Sequence, residues 1–206
     1  MLKKIRDNLA EYHPKKNLQI KKRASIIIPL VESNGELFIL LTQRSDSLTS
    51  HAGQVAFPGG KQDPNDANSL DTALRETNEE IGLPRAKVEI LGTLDQILSL
   101  HYYLVTPFVA VIPDDFIPIP NRDEIQIVFR VPLTFFMTTR NHWAEEIETQ
   151  FVKVFIHHFE FEGFDIWGLT AKLILRLLEI GLGHVPEFIV HHPDSPTWME
   201  RTLDYS

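Results

Sequence analysis

Glu76, Glu79 and Glu80 stand at i, i+3 and i+4 in the run Arg75-Glu76-Thr77-Asn78-Glu79-Glu80-Ile81-Gly82-Leu83. On a helix turning about 100° per residue, that spacing brings three carboxylates to one patch. Like charges placed so repel by roughly a few tenths of a kcal/mol per pair. A sequence shaped only for stability interleaves lysines there. A hard divalent cation such as Mg²⁺ or Mn²⁺ reverses the penalty, because it takes clustered oxygen ligands. The ordinary alternative is a solvated acidic face, since charge runs usually mark exposed helix surface.

The residues before the triplet narrow the choice. Phe57-Pro58-Gly59-Gly60 is followed by Lys61, Asp63 and Asp66. Paired glycines let the backbone take positive φ or approach a ligand closely, although Pro-Gly-Gly by itself reads as a turn. Gly60, Asp66, Arg75, Glu76, Glu79, Glu80 and Gly82 all fall between positions 60 and 83.

That constellation resembles the Nudix box, Gly-x5-Glu-x7-Arg-Glu-U-x-Glu-Glu-x-Gly-U, with U an aliphatic or similar residue. The second half matches residue for residue at Arg75, Glu76, Thr77, Glu79, Glu80, Gly82 and Leu83. The first half departs from it. The step from Gly60 to Arg75 is one residue longer than the standard spacing, and Asp66 stands where the first Glu would be.

The resemblance implies a metal-dependent hydrolase of diphosphate bonds, with Glu76, Glu79, Glu80 and the Gly60 carbonyl as Mg²⁺ or Mn²⁺ ligands. Metal ions bridging diphosphate oxygens neutralise charge and orient an attacking water. Arg75 is expected to orient a glutamate by a bidentate ion pair. Asp66 is expected to brace the loop through Arg75 or a backbone N–H. The general base comes from the box in some members of the family and from a later loop in others. Glu124, in Asn121-Arg122-Asp123-Glu124 just before a strand, is the remote candidate, and an acidic residue in a turn is its plain alternative.

The segments Leu40-Leu41-Thr42-Gln43-Arg44-Ser45 and His51-Ala52-Gly53-Gln54-Val55-Ala56-Phe57-Pro58-Gly59-Gly60 are similar to an extra motif of the coenzyme A pyrophosphatase branch. So are Asp123-Glu124-Ile125, Val131-Pro132-Leu133 and Trp167-Gly168-Leu169-Thr170-Ala171. The branch implies coenzyme A or acyl-coenzyme A as substrate, split to 3′,5′-ADP and (acyl-)4′-phosphopantetheine. Arg44, His51, Gln54 and Lys61 become candidate substrate contacts. Arg23, Arg44 and Lys61 are candidates for the 3′-phosphate, and Trp167 and Tyr102 for the pantetheine path. Many relatives carry a basic residue where this chain has Thr49. Without the resemblance, residues 40–57 read as a strand and loop beneath the helix, with Arg44 a surface charge and His51 a structural residue. Two rival functions stay open: hydrolysis of ADP-ribose, NADH or a dinucleoside polyphosphate, and a non-catalytic nucleotide-binding module of the same fold.

Several elements must position these groups. Residues 24–32 read as a buried strand, Asn34-Gly35 as a hairpin turn, and 36–44 as the returning strand. Leu70, Ala73, Leu74, Thr77 and Ile81 trace one buried face of a helix over about 69–81, stopped at Gly82. Strands are expected at 88–94, 104–112 and 125–131, another at 151–156, and a second strong helix at about 167–180. Leu2, Ile5 and Leu9 share one face of a short N-terminal surface helix. The fold class is therefore α+β, and the Nudix fold implied is a mixed sheet sandwiched between helices. Three parts are expected: a helical extension over 1–22, the hydrolase domain over 23–183 and a C-terminal extension over 184–206.

Composition sets the outer limits. There are no cysteines among 206 residues, which excludes thiol catalysis and thiolate metal sites. A net charge of −8 argues against nucleic acid as the main partner, while a metal can neutralise a small phosphorylated substrate locally. No apolar run approaches the ~18 residues of a membrane span. Neither a signal-peptide core nor a Ser-Lys-Leu terminus is present, so a cytoplasmic location is expected. Family resemblance also implies a homodimer.

Overall fold

The computed structural model describes residues 1–16, 19–48, 51–148 and 153–191. The chain opens with α1 (Leu2–Glu11), then the hairpin β1 (Arg23–Ser33) and β2 (Glu36–Arg44). Asn34 and Gly35 turn it at φ 51° and 81°, the double positive φ that a two-residue hairpin turn needs. Short strands β3 (Val55–Ala56) and β4 (Gly59–Lys61) lead into α2 (Ser69–Ile81). Strands β5 (Glu89–Thr93), β6 (Ile97–Leu98), β7 (Leu104–Val111) and β8 (Ile125–Pro132) follow. The last part holds β9 (His142–Glu148), β10 (Lys153–Phe161), β11 (Phe164–Trp167), α3 (Gly168–Leu182) and β12 (Ile189–His191).

The main sheet is mixed and runs β3-β2-β1-β7-β5, with β4 beside β1, β6 beside β7 and β8 beside β2. β1 and β7 are parallel, and the other pairs in this sheet are antiparallel. Period-two alternation divides β1 between two cores. Ile27 and Val31 pack with Ala73, Leu74 and Ile81 of α2. Ile28 and Leu30 pack with Ile5 and Leu9 of α1 and with Leu173, Ile174 and Leu177 of α3. Helices therefore cover both faces of one sheet, and the α+β sandwich expected for the fold is what the chain forms.

The sequence reading departs from the fold in three places. α1 is not a surface helix: Ile5 is 0% exposed and Leu9 3%. A Cβ on Gly181 would lie 3.2 Å from Ile5, and one on Gly92 would lie 3.2 Å from Leu9, so two distant glycines admit this helix to the core. The strand expected at 151–156 is longer within the described residues, with β10 reaching Phe161. It also belongs to a second sheet, β11-β10-β9-β12, in which β12 draws part of the C-terminal extension alongside β9. Among the described residues, no helix is long and apolar enough to cross a membrane.

Candidate active site

α2 is built to be placed firmly. The Asn68 side chain caps its first turn by accepting from the N–H groups of Leu70 and Asp71. Gly82 ends it in the left-handed conformation at φ 70°. With Ala73, Leu74, Thr77 and Ile81 turned to the sheet, helical periodicity leaves Glu76 and Glu80 at the margin of the core. Glu79 stands further out, with its side chain 56% exposed.

The Gly59–Gly60 strand closes on that margin. β4 pairs antiparallel with β1, setting Gly60 opposite Ser25 and Gly59 opposite Ile26. Gly59 has φ 144°, and a Cβ there would lie 2.3 Å from the Ser25 carbonyl oxygen. A Cβ on Gly60 would lie 2.4 Å from the carboxylate carbon of Glu76. The Gly59 N–H donates to Glu80 Oε2 at 3.0 Å. Two residues without side chains thus allow a strand to touch two carboxylates of the helix.

Arg75 organises the rest. Its Nε and Nη2 donate to the two oxygens of Asp66 at 2.9 and 3.0 Å. Nη2 also lies 3.0 Å from Glu76 Oε1, and Nη1 donates to Glu79 Oε2 at 2.9 Å. Nη2 also donates to the Lys61 carbonyl at 3.3 Å. The guanidinium, together with the Asp63 N–H and the Thr72 hydroxyl, holds Asp66 well below the usual carboxylate range. Asp66 therefore anchors Arg75 and the loop after Gly60 at once.

Burial works the other way on the glutamates. Glu80 is 3% exposed, and desolvation pushes its pKa up to about 8 against the Gly59 N–H and Arg44. Burial also raises Glu76, opposed by Arg75 and reinforced by Glu79 and Glu124. A cluster of desolvated carboxylates that raise one another fits a hard dication, whose charge would offset the repulsion. Arg75 now fills the space between Glu76 and Glu79, and no three acidic or histidine side chains already share a metal-sized cage among the described residues.

Glu124 reaches this cluster through backbone. Ile119 and Asn121 donate their N–H groups to the Ile81 and Glu80 carbonyls at 2.9 and 2.8 Å, satisfying the C-terminus of α2. The Glu124 carbonyl then accepts from the Ser45 N–H at 2.8 Å. Its carboxylate is near enough to raise both Glu76 and Glu80. Arg44 sits at a bulge where β2 leaves β8, with Nη1 3.7 Å from Glu80 Oε1. Its buried Nε has no hydrogen-bond partner.

His51 and Gln54 form a neighbouring unit. Gln54 Oε1 lies 2.9 Å from His51 Nδ1, and the Gln54 carbonyl accepts from the Arg44 N–H at 3.0 Å. His51 meets His101 edge-to-face at 4.9 Å. Burial, followed by the charges of His101, Arg44 and Lys61, holds His51 below its ordinary pKa. Lys61 lies over the Tyr103 ring, 5.4 Å from its centroid, and Lys22 lies over the same ring at 5.6 Å.

The fold therefore brings Glu76, Glu79, Glu80, Arg75, Asp66, Gly60, Arg44 and Glu124 together, with His51, Gln54 and Lys61 alongside. Thr49 lies outside the described residues. Tyr102 is 72% exposed, and its neighbour Tyr103 makes the contacts. Trp167 stacks on His158 in the second sheet. Sequence reasoning missed Tyr103, Lys22 and His101. Tyr102 and Tyr103 both precede β7, so no strand periodicity in the sequence singled out the second.

Residues 21–154 match the family described as NUDIX domain. Over 179 residues the chain is 38% identical to Nudix hydrolase 15, mitochondrial, of Arabidopsis thaliana, covering 84% of this chain and 63% of that protein. It is 36% identical over 180 residues to Nudix hydrolase 22, chloroplastic, of the same plant, covering 84% and 60%. A Nudix hydrolase NudL of Yersinia enterocolitica is 40% identical over 156 residues, covering 76% of this chain and 80% of that one. The chain thus spans less than two thirds of the length of either plant protein.

Proposed function

The chain belongs to the NUDIX domain family, and from that membership we propose that it hydrolyses the diphosphate bond of coenzyme A or an acyl-coenzyme A. The observation that carries the reading is the contact of Gly59 and Gly60 with Glu80 and Glu76. A carboxylate as buried as Glu80 costs several kcal/mol of desolvation on the order given by ion transfer, and hydrophobic packing would fill the same space more cheaply. Such a group is kept for chemistry.

In this reading Glu76, Glu79, Glu80 and the Gly60 carbonyl hold Mg²⁺ or Mn²⁺. When bound, the cation supplies charge neutralisation at the diphosphate and a site for the attacking water. Arg75, anchored on Asp66, keeps Glu76 and Glu79 oriented between turnovers. Glu124 takes the proton of the water, a role that its proximity to Glu76 and Glu80 supports. Arg44 faces the diphosphate with the guanidinium edge that Glu80 leaves open. The Gln54–His51 pair and Lys61 line the path of the rest of the substrate, whose acceptor atoms suit their donors.

The division of labour follows the proposed boundaries. Residues 23–183 carry the reaction, with 1–22 and 184–206 as extensions. A cytoplasmic homodimer is the assembly we assign, checked by cell fractionation and by sedimentation equilibrium.

The test is product analysis with Mg²⁺ or Mn²⁺ on coenzyme A, acetyl-coenzyme A, ADP-ribose, NADH and diadenosine tetraphosphate, with Glu79→Gln as control. Release of 3′,5′-ADP from coenzyme A, lost in the variant, is expected. Preferential cleavage of another member would retain the mechanism and discard the coenzyme A reading. No turnover with either metal would leave a nucleotide-binding module.

A further inference from the structure

Lys22 and Lys61 are thirty-nine residues apart, yet both ammonium groups are brought over one aromatic ring, that of Tyr103. Strand register makes this arrangement. β1 lies between β4 and β7, with Ala24 opposite Lys61 on one side and opposite Val105 on the other. Lys22 and Tyr103 stand immediately before β1 and β7, two residues ahead of those partners, and both lysines reach the Tyr103 ring. The Leu104 N–H bonds the Lys22 carbonyl at 2.9 Å, and the Ser99 hydroxyl accepts from the Tyr103 N–H at 3.1 Å, which fixes both backbones.

Neither lysine has a carboxylate partner among the described residues. A cation–π contact at an exposed site is weak, and it does not remove the repulsion between two ammonium groups. The surroundings add to the positive charge. Lys15, Lys16, Lys21, Lys22 and Arg23 fall within nine positions of a chain whose net charge is −8. His101, two residues before Tyr103, packs against His51, and Arg44 and Lys61 both act on that histidine. Lys61 directly follows Gly60, so this cationic group stands on the opposite sheet face from the box carboxylates, one residue away along β4.

We propose that Lys22, Tyr103 and Lys61 form a clamp for a phosphomonoester that the substrate carries in addition to its scissile diphosphate, the 3′-phosphate of a coenzyme A-type molecule. The inference rests on the reading of this site as a coenzyme A diphosphatase. Two ammonium groups match a dianionic phosphate in charge, and their three donors each suit its oxygens. Tyr103 acts as a positioning residue, holding both amines on one side of β4. The clamp discriminates ligands by that phosphate alone, because the diphosphate is handled on the far face of β4.

The test is titration calorimetry on the full chain without metal, with 3′,5′-ADP, 5′-AMP and inorganic phosphate as probes. 3′,5′-ADP is expected to bind about tenfold more tightly than 5′-AMP, the range of a charge-assisted contact. Lys22→Gln and Tyr103→Leu should each remove most of that preference while leaving 5′-AMP unchanged, and Tyr103→Phe should restore it. Equal binding of the two nucleotides by the wild type, or equal loss of both in Lys22→Gln, would overturn the clamp. So would inorganic phosphate that competes with both nucleotides alike. Turnover of coenzyme A against 3′-dephospho-coenzyme A with Mg²⁺ separates the two readings. A binding preference with no turnover of either removes the enzyme and keeps the clamp. Equal turnover of both, with equal binding, removes the clamp and keeps the enzyme.

Discussion

The α-hydrogen of Gly60 points at the carboxylate of Glu76, so closely that a methyl group in its place would lie 2.4 Å from the carboxylate carbon. Gly60→Ala is therefore expected to push Glu76 away or to part β4 from α2. The Mn²⁺ concentration needed for half-maximal activity should rise at least tenfold, with a stability loss of about 1–3 kcal/mol from overpacking. Metal-dependent kinetics beside urea unfolding would measure both. An alanine variant with unchanged metal dependence would show that the contact has no part in the chemistry.

Asp66 has its pKa held far down, chiefly by Arg75. A carboxylate depressed in the folded state stabilises the protein above its unfolded pKa, and the benefit is lost as pH falls through the folded value. Asp66→Asn should accordingly melt several degrees below the wild type at pH 7, on the scale of roughly 2–4 °C per kcal/mol. That gap should narrow below about pH 4, where an ordinary aspartate takes up its proton. The same variant frees Arg75 and should reduce kcat. Melting curves between pH 3 and 7 that stay parallel would refute the assignment.

His142 and His157 face each other in the second sheet, Nε2 to Nδ1 at 3.0 Å. Burial first, then His157 for His142 and His158 with Lys172 for His157, lowers both pKa values to about 4. Here the unfolded chain binds the extra protons. Stability is intact above about pH 6.5, the ordinary histidine value, and is lost as pH falls toward 4. The melting temperature should drop between pH 7 and 5, and His157→Gln should flatten that slope. A wild-type profile that is level across this interval would remove the pair from the account.

Ile5 is 0% exposed and packs on Gly181 of α3, whereas Leu2 is only partly buried. Ile5→Ala should cost about 2–5 kcal/mol, the usual range for a fully buried aliphatic truncation. Leu2→Ala should cost well under half as much. Equal losses in urea unfolding would mean that α1 does not dock as described.

By itself, the sequence determined the elements whose causes are local. The stripe from Ala73 to Ile81, the stop at Gly82 and the Asn34-Gly35 turn depend on neighbours within a few positions, and each formed where the residues placed it. It also determined the box, because Glu76, Glu79 and Glu80 are related by helical spacing alone. Tertiary structure decided everything that joins distant strands or helices. The burial of Ile5 needs Gly181, that of Leu9 needs Gly92, and the Glu76 contact needs Gly60 held in register on β1. Lys22 and Lys61 reach the one Tyr103 ring only because β1 pairs with β4 and β7 in one alignment. A slip of one residue would reverse every side chain in such a strand. Local periodicity carries no information about register between segments forty or eighty residues apart, which is set when the sheet closes on its core.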